Sequence, residues 1–556
     1  MTAFDTDKQE KKLQELHEIE EEQLVQILAP KYQMPYANLR ETSINLDYLK
    51  LIPKETAEEA QIAIFEGTGR KIQVGMRNPE LLTVKNILND LSAKNYKIEP
   101  FLVSTSSLKR AWQRYKEVPE FEDLAKGFID ISPQRIEEYI TQTSTFEGLK
   151  DLFLKRVQSK EQRRISELLE IIVSGAIGMD ASDIHMEPRD NNVLLRLRLD
   201  GVLHDILEFD SSAYQLLASR IKLISEMKLN IKDRAQDGRF TVKLKEAETE
   251  IRSSSLPSPY GESIVLRILN PKAIGVNFEE LGMQPLVREI TEKEIQKPNG
   301  MILTTGPTGS GKTTTLYAFL KKVKSSTVKI ITIEEPIEYH LEGITQTQTN
   351  PKGDYTFTSG LRSVLRQDPD VIMIGEIRDT ETAQTALNAA LTGHLVFSTL
   401  HTNDAAGTIL RLIDLGVNPT TIAPALNVSI AQRLVRKLCG KCKESYEPSE
   451  KEKKTMGKIL DTLPKNIQKP EIGKIKIFKA VGCKECNNIG YKGRIGIFEM
   501  LLVDEEIENI ILNNPSDTEI KKASLHQQLP TIQQDTILKI INGITSFQES
   551  ERVIEL

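Results

Sequence analysis

Four short runs of mainly apolar residues recur in the stretch from residue 300 to residue 400: MILTTG, KIITIE, VIMIGE and LVFSTL. Helical patterns separate them, for example over residues 313–325 and 380–393. Continuous apolar runs of this length are typical of strands that are buried on both faces. The alternation of such strands with helices therefore predicts a parallel sheet covered by helices.

Upstream of this region the pattern is that of an α+β unit. Residues 193–199, VLLRLRL, alternate apolar and polar side chains as a half-buried strand does, and Asp200-Gly201 is a hairpin turn signal. A helix is predicted over 164–178 and another over 212–228. Further strands are predicted near 239–244, 249–255 and 263–269.

The two ends of the chain are mostly helical in pattern. Residues 1–30 predict a charged helix that stops at Pro30, and residues 500–556 predict further helices. Between 31 and 105, short strands such as 72–76 mix with helices, including one over 78–94 with Asn78 as its cap. Charged, mostly helical sequence that includes a linker continues to about 155. The predicted domains are 1–30, 31–155, 156–285, 286–436, 437–495 and 496–556.

Composition narrows the class of protein. The 556 residues suffice for several domains, and 39% hydrophobic with 27% charged residues is ordinary for a globular protein. No apolar run approaches the roughly 18–20 residues of a membrane span, and the first residues contain no apolar signal core, so we expect an intracellular chain. The net charge of −6 excludes a uniformly basic nucleic-acid coat.

The charge is unevenly distributed. Residues 1–30 hold eight acids and three lysines, whereas residues 437–494 hold fifteen lysines and arginines against seven acids. We interpret this basic region as a contact face for acidic protein surfaces or anionic lipid headgroups.

A phosphate-binding loop is the most specific motif. The pattern GxxxxGK[ST] is matched by Gly306, Pro307, Thr308, Gly309, Ser310, Gly311, Lys312 and Thr313, with Thr314 following. Small residues let backbone N–H groups wrap a phosphate at a helix start. We expect Lys312 to reach the β- and γ-phosphates and Thr313 to hold Mg²⁺. An ordinary glycine-rich turn is the alternative.

Acidic and imidazole side chains follow the predicted strands. Glu376 ends one strand and is expected to hold Mg²⁺ through water or to polarise the attacking water. Glu334 and Glu335 end another strand and are candidates for activating water. His394 and His401 bracket LVFSTL, where a neutral imidazole could sense the γ-phosphate; the alternative is a histidine satisfied within the core.

Two CxxC pairs contain every cysteine of the chain, namely Cys439, Cys442, Cys483 and Cys486. Four thiolates form a tetrahedral cage for Zn²⁺ and leave no open position, which indicates a structural rather than a catalytic metal. An iron–sulfur cluster is a competing interpretation, and a redox pair is a weaker one.

Together these motifs resemble the secretion ATPase superfamily, which drives type II secretion and type IV pilus assembly. GPTGSGKTTTLYA is similar to its Walker A motif, ITIEEPIEY to its aspartate box, DPDVIMIGEIRD to its Walker B motif and TGHLVFSTLHTNDA to its histidine box. The resemblance covers about 160–556. It implies an α/β multidomain protein with a RecA-like ATPase core, a PAS-like α+β N-terminal domain, a tetracysteine zinc module and a helical C-terminal region.

The segments ASDIHMEP, LRLDG, RAQDGR and LPSPYGESIVLRIL resemble the superfamily's second N-terminal domain, which supplies arginines to the nucleotide. By position, Arg252 and Arg267 match these arginines, and Arg239 is a further candidate. Glu335 stands where the superfamily usually has aspartate. Residues 31–105 resemble the first N-terminal domain of pilus-assembly members but lack the Arg-Leu-Gly start of its cyclic di-GMP-binding version, so we expect a docking module and no cyclic di-GMP binding.

The resemblance implies a Mg²⁺-dependent hexameric motor ATPase that binds ATP and Zn²⁺. Such a motor is cytoplasmic and peripheral to the inner membrane, and it drives pilin polymerisation through a membrane platform protein of the pilus or secretion machinery. Type II secretion is the alternative within the superfamily. A DNA translocase or packaging motor is the alternative from another class, although we expect no nucleic-acid partner because the basic region has few aromatic residues to stack bases. A non-hydrolysing scaffold is the third hypothesis.

Overall fold

The computed structural model describes residues 20–556 apart from 43, 69, 94–95, 118–132, 159–163, 245–247, 270–274, 351–352, 472–474 and 514. Contacts divide the chain into two compact units. One comprises the residues up to Leu199 together with Leu203–Ile268, and the other comprises Asp200–Val202 and Leu269–Leu556. Most of the predicted N-terminal helix, residues 1–19, and part of the predicted linker, 118–132, lie outside the described residues.

A three-stranded sheet forms the N-terminal part of the first unit. Its strands are β1 (Ile62–Thr68), β2 (Lys71–Met76) and β3 (Lys97–Leu102), with β1 antiparallel and β3 parallel to β2. The helices here are α1 (20–28), α2 (Leu46–Leu49), α3 (Lys54–Glu59), α4 (Leu82–Ala93) and α5 (Thr105–Gln113), with 3-10 turns at Ala29–Tyr32 and Arg114–Glu117.

The helix predicted over 78–94 begins four residues later than expected. The side chain of Asn78 accepts a hydrogen bond from the backbone N–H of Glu80 at 3.0 Å, which makes a local turn instead of a helix cap. Asparagine competes with the backbone in this way both at caps and in turns, so the residue type alone does not distinguish the two.

The rest of the first unit is a six-stranded sheet of order β6-β5-β4-β9-β8-β7 with helices α6 to α9. The predicted hairpin at Asp200-Gly201 is confirmed, because β5 and β6 are neighbours and both turn residues have positive φ, 49° and 84°. The strands are β4 (Asp183–Pro188), β5 (Asn192–Leu199), β6 (Val202–Asp210), β7 (Gln236–Lys243), β8 (Glu248–Ser258) and β9 (Gly261–Leu269), and the helices are α6 (Pro133–Gln142), α7 (Phe146–Val157), α8 (Arg164–Gly178) and α9 (Ser211–Ile224).

A seven-stranded sheet of order β12-β11-β13-β14-β10-β15-β18 forms the centre of the second unit. Its neighbouring strands are parallel except for the edge pair of β15 and β18, so the predicted parallel sheet is confirmed. Its strands are β10 (Gly300–Thr305), β11 (Ile330–Glu334), β12 (Thr345–Gln348), β13 (Val371–Ile374), β14 (Leu395–Leu400), β15 (Leu426–Leu438) and β18 (Tyr491–Leu502).

Helices cover both faces of this sheet. On one face Met301 and Leu303 join a core cluster with α12 and α13, and on the other Ile302 joins a cluster with α11. The helices are α10 (Pro285–Glu294), α11 (Lys312–Val323), α12 (Phe357–Leu365), α13 (Thr380–Leu391), α14 (Gly407–Asp414) and α15 (Pro419–Ala425). Because neighbouring β10 residues point to opposite faces, its uninterrupted apolar sequence follows from burial on both sides.

The C-terminal part combines a small sheet with helices. Strands β16 (Glu444–Tyr446) and β17 (Ile477–Lys479) pair with each other, and α16 (Glu450–Asp461) lies between them in sequence. The final helices are α17 (Glu505–Leu512), α18 (Asp517–Ala523), α19 (Ile532–Ile541) and α20 (Phe547–Val553). Side chains of α16, α19 and α20 share one core cluster, so the final helices complete the interior of the basic region.

Across the described residues, none of the helices combines the length and the apolar composition that a membrane crossing requires.

Candidate functional site

The loop Gly306–Gly311 leaves the carboxyl end of β10 and enters α11. Gly306 and Gly311 have φ of 147° and 91°, in the left-handed region that favours glycine. A Cβ on Gly306 would lie 2.5 Å from the carbonyl oxygen of Gln432, and one on Gly311 would lie 2.8 Å from the Gln432 Nε2. The Thr315 hydroxyl donates to the Gln432 Oε1 at 2.7 Å. The loop therefore packs closely against Gln432 of β15, and glycine is needed at positions 306 and 311, where the two contacts occur.

Polar groups of the loop suit a phosphate. The Lys312 Nζ donates to the carbonyl oxygens of Gly306 at 2.7 Å and Pro307 at 3.2 Å, which are neutral acceptors of its own loop. The Ser310 hydroxyl is buried and has no hydrogen-bond partner among the described residues. Thr313, the predicted Mg²⁺ ligand, is exposed at the start of α11. A bound phosphate would give both the lysine and the serine a charged acceptor.

Glu376 lies two residues beyond β13 at the same edge of the sheet. It contacts the Arg378 guanidinium, and its Oε2 is 3.5 Å from the His401 Nε2. Arg378 also donates to the Glu335 carboxylate at 3.2 Å. Burial lowers the pKa of Lys312, and the negative charge of Glu376 opposes that shift. The structure thus brings Lys312, Glu335, Glu376 and His401 together, with Arg378 between the two carboxylates.

Glu334 differs from its neighbour because it is 3% exposed and bonded on both oxygens. Its Oε2 accepts the Tyr317 hydroxyl, and its Oε1 accepts Thr332 Oγ1 at 2.6 Å and Gln346 Nε2 at 3.0 Å. Burial, reinforced by the carboxylate, raises the pKa of Tyr317, so the phenol stays a donor. Since a carboxylate has about four acceptor sites, these three donors leave about one site, on Oε2, for a water.

His394 and His401 lie at opposite ends of β14. His394 precedes the strand, and its Nδ1 is 3.0 Å from the Ala389 carbonyl oxygen. The six residues of β14 span about 20 Å at roughly 3.3 Å per residue. Of the two histidines, only His401 therefore lies at the edge that carries the phosphate loop of its own chain. Proximity in sequence suggested a shared role, but the two ends of a strand face different edges of the sheet.

Three side chains at this edge were missed by the sequence analysis: Arg378, Gln432 and Arg433. Arg378 lies within DPDVIMIGEIRD, two residues after Glu376, so a search for a cation beside that carboxylate would have found it. Gln432 and Arg433 belong to β15 and approach the loop only through the pairing of β15 with β10. No local pattern in the sequence marks them.

The predicted arginines lie in the first unit, on β7, β8 and β9. Arg239 and Arg252 face each other in the β7–β8 register, and Glu250 lies 3.9 Å from the first and 3.3 Å from the second. Arg267 donates through its Nε to the buried Asp183 at 3.0 Å, while 64% of its side chain is exposed. All three are held on their strands by carboxylates of the same unit.

The four cysteines lie together where β15 ends and β18 begins. All four Sγ atoms are within 4.8 Å of one another, with Cys439 and Cys483 3.9 Å apart and Cys442 and Cys486 3.8 Å apart. Zn–S bonds of about 2.3 Å in a tetrahedral site place neighbouring sulfurs about 3.8 Å apart. The same distances are far longer than a disulfide bond of about 2.0 Å. The cage fits a tetrahedral thiolate-bound ion.

Backbone donors favour the thiolate of Cys486, whereas burial raises the pKa of Cys442 and Cys483. The N–H groups of Cys483 and Gly490 each donate to the Cys486 Sγ at 3.2 Å. Burial by itself would raise the pKa of Cys486, but these donors lower it to about 7. Pairing of β15 with β18 brings the two CxxC turns together, with the Cys439 N–H donating to the Gly490 carbonyl oxygen at 2.9 Å.

Comparison with known proteins identifies the family to which a chain with this site belongs. The type II/IV secretion system protein family matches residues 158–552, which is most of the chain. The chain belongs to the type II/IV secretion system protein family. It is accordingly an ATP-hydrolysing motor of the secretion and pilus kind, for which ATP and Mg²⁺ are implied. Because the family hydrolyses ATP, the hypothesis of a non-hydrolysing scaffold is excluded. The expected family resemblance and fold class are confirmed.

Relatives within the family fall into two groups. Type II secretion system protein E of Pseudomonas aeruginosa is 43% identical over 397 residues, which cover 71% of this chain and 77% of the relative. The type IV pilus assembly ATPase PilB of Myxococcus xanthus is 33% identical over 534 residues, covering 96% and 91%. The ATPase DotB of Legionella pneumophila shares the fold, with a TM-score of 0.50, 21% identity and coverage of 69% and 95%.

An MshEN domain matches residues 32–121. This class of domain binds cyclic di-GMP, so the match counts against the expectation that this part of the chain does not. The match agrees with the resemblance of residues 31–105 to a first N-terminal domain.

Substitution of one cage cysteine tests the metal centre of this family member. We expect Cys442→Ser to lose about one zinc per chain and to lower the melting temperature by several degrees, because metal binding contributes to folding. Elemental analysis and calorimetry measure the two quantities. Ser445→Ala, an exposed position in β16, is the control and should retain both. Unchanged zinc content and melting in Cys442→Ser would contradict the cage.

Proposed function

We propose that this protein is the hexameric motor ATPase of type IV pilus assembly, and that it drives pilin polymerisation through an inner-membrane platform protein. The observation that carries the proposal is the extent of the match. The relationship to the Myxococcus xanthus pilus-assembly ATPase runs over 534 residues and includes the N-terminal domains, whereas that to the Pseudomonas aeruginosa type II secretion protein covers 397. Type II secretion is the second candidate, because over the shorter region the type II protein is 43% identical and another pilus-assembly ATPase is 42% identical, so identity there does not separate the two systems.

We propose the following roles for the residues at the phosphate loop. Backbone N–H groups of the loop, together with Ser310 and Lys312, hold the phosphates, and Thr313 with Glu376 holds Mg²⁺. The carboxylates Glu334, Glu335 and Glu376 are the candidates for orienting water. His401, beside Glu376, senses the γ-phosphate through a hydrogen bond that exists only while that phosphate is present.

Arginines of the first unit complete the proposed chemistry. Arg252 and Arg267, with Arg239 in support, neutralise the charge that develops on the transferred phosphoryl group. Their carboxylate partners hold the guanidinium groups on their strands, and the exposed end of Arg267 retains donors for a phosphate oxygen. Positioning and charge stabilisation, rather than covalent chemistry, then provide the rate enhancement.

Zn²⁺ is the ion proposed for the cysteine cage, where it would have a structural role. The basic region that surrounds it is proposed to contact acidic surfaces of the machine at the membrane. The N-terminal domain is proposed as a docking module; the MshEN match makes cyclic di-GMP a candidate ligand of that domain, although the Arg-Leu-Gly start is missing.

The carboxylate role is tested by Glu376→Gln. We expect this variant to bind ATP with near-normal affinity but to hydrolyse it at least about a hundredfold more slowly, because the neutral amide neither holds Mg²⁺ nor polarises water. Glu289→Gln removes an exposed carboxylate from α10 and should hydrolyse ATP normally. Near-normal turnover by Glu376→Gln would refute the role.

The membrane contact is tested by reversing charges on α16. Lys454 and Lys458 are exposed there, and we expect their joint replacement by glutamate to weaken association with the membrane complex while basal ATP hydrolysis stays unchanged. Lys293→Glu on α10 is the matched control. Mass spectrometry of what co-purifies identifies the platform protein and so decides between a pilus and a type II machine. Unchanged association would discard the proposed contact face.

The alternative function, a DNA motor, predicts tight DNA binding that weakens steeply with salt. We expect only weak, non-specific binding of DNA at physiological salt, since the chain is acidic overall. Fluorescence anisotropy of a labelled duplex between about 50 and 200 mM salt measures this. Tight binding that falls steeply with salt would favour the translocase and overturn the pilus assignment.

A further inference from the structure

Arg433 lies directly beside the phosphate loop, in β15 next to Gln432. Its Nη1 is 3.1 Å from the position that a Cβ on Gly306 would take, so the guanidinium lies against the first glycine of the loop. The side chain is partly buried. A charged, partly buried group therefore lies beside the loop that is proposed to bind phosphate.

The hydrogen bonds of Arg433 all go to neutral acceptors. Its Nη1 donates to the Gln432 carbonyl oxygen at 3.0 Å, and its Nη2 donates to the Asn403 carbonyl oxygen at 2.9 Å and approaches the Asn403 amide oxygen at 3.5 Å. Within the described parts of the chain it forms no ion pair with a carboxylate. A partly buried guanidinium without an anionic partner is costly, because burial penalises charge that is not paired.

The two acids whose charge reaches Arg433 are engaged elsewhere. Asp404 accepts the Lys521 Nζ at 2.6 Å and the N–H of Gly407 at 2.8 Å. Glu499 accepts the N–H of Ala405 at 3.0 Å and that of Ile532 at 3.1 Å. Both charges favour the protonated guanidinium from a distance, but neither carboxylate forms an ion pair with it among the described residues.

A second cation adds to the positive charge that has no anionic partner at the loop. Lys312 is also bonded only to carbonyl oxygens, those of Gly306 and Pro307. Burial lowers the pKa of Lys312; the negative charge of Glu376 opposes this shift, and the positive charge of Arg433 adds to it. Burial likewise lowers the pKa of Arg433. In the described part of the chain, both cations lie beside Gly306 and donate only to neutral acceptors, each to its own pair. A polyphosphate is a ligand whose charge would pair with both.

We propose that Arg433 is a second phosphate-binding cation of the loop, which acts beside Lys312 on the polyphosphate of ATP. The planar guanidinium can donate to two phosphate oxygens at once, whereas the ammonium of Lys312 acts as a point charge. The inference rests on the ATP site proposed above and adds to it a residue from β15. Because the interaction is with phosphate charge, its contribution grows with the number of phosphates.

The test compares ligands that differ by one phosphate. In Arg433→Gln we expect affinity for ATPγS with Mg²⁺ to fall roughly tenfold, and affinity for ADP to fall less. The shorter glutamine side chain does not reach the Asn403 carbonyl oxygen, but that hydrogen bond is exposed, so water can replace the donor and the local fold is retained. Arg433→Lys keeps the charge and should lose only a small part of the affinity. Isothermal titration calorimetry of the full-length chain measures each value.

The nucleotide-free protein supplies a second readout. Since Arg433 and Lys312 repel each other, Arg433→Gln should melt no lower than the wild type, whereas the stabilisation by ATPγS should shrink. Lys437→Gln, an exposed cation four residues along the same strand, is the control and should change neither. Equal losses for ADP and ATPγS, or a lowered melting temperature with unchanged affinities, would overturn the proposal. If both Lys312→Ala and Arg433→Gln bind ATPγS as tightly as the wild type, the proposed ATP site is refuted. If Lys312→Ala loses affinity and Arg433→Gln does not, only the role of Arg433 is refuted.

Discussion

The parallel pairing of β10 with β14 on one side and β15 on the other is the constraint on which the candidate site depends. Every residue of β10 is buried, and the loop that follows leaves the sheet where β10 and β14 end together, while β15 continues beside it. The Thr305 and Thr402 hydroxyls are 2.7 Å apart and join the ends of β10 and β14. Gln432 packs closely against Gly306 and Gly311 of the loop. The loop conformation is thus imposed from outside the loop, by strands distant in sequence.

Much of this sheet could be predicted from the sequence, and physical reasons explain which parts. Strands buried on both faces leave uninterrupted apolar runs, and the loop needs glycine at fixed spacing, so both are visible locally. The start of α4 and the location of His394 could not be predicted as reliably. Asn78 forms a turn that competes with a helix cap, and the separation of His394 from His401 follows from strand direction rather than spacing.

The cysteine cage shows the same division between local and distant information. CxxC spacing predicts paired thiolates, but not the partners that hold them in place. Arg436 stacks on the Tyr491 ring at 4.1 Å and donates to the buried Glu549 of α20 at 2.7 and 2.9 Å. These contacts join residues more than fifty positions apart, which no window along the sequence reveals. Removing Glu549 would leave the mostly buried Arg436 guanidinium without this carboxylate, so the final helix is part of the structure around the cage.

Strand β15 connects the two sites physically. It carries Gln432 and Arg433 against the phosphate loop, and Cys439 follows immediately after its last residue. The seven positions between Gln432 and Cys439 span about 23 Å at roughly 3.3 Å per residue. The loop end of β15 is hydrogen-bonded to β10, but its cysteine end is paired only with β18 among the described strands. A metal in the cage would therefore stabilise the end of β15 that β10 does not reach, and β15 would carry the effect of its loss toward the phosphate loop.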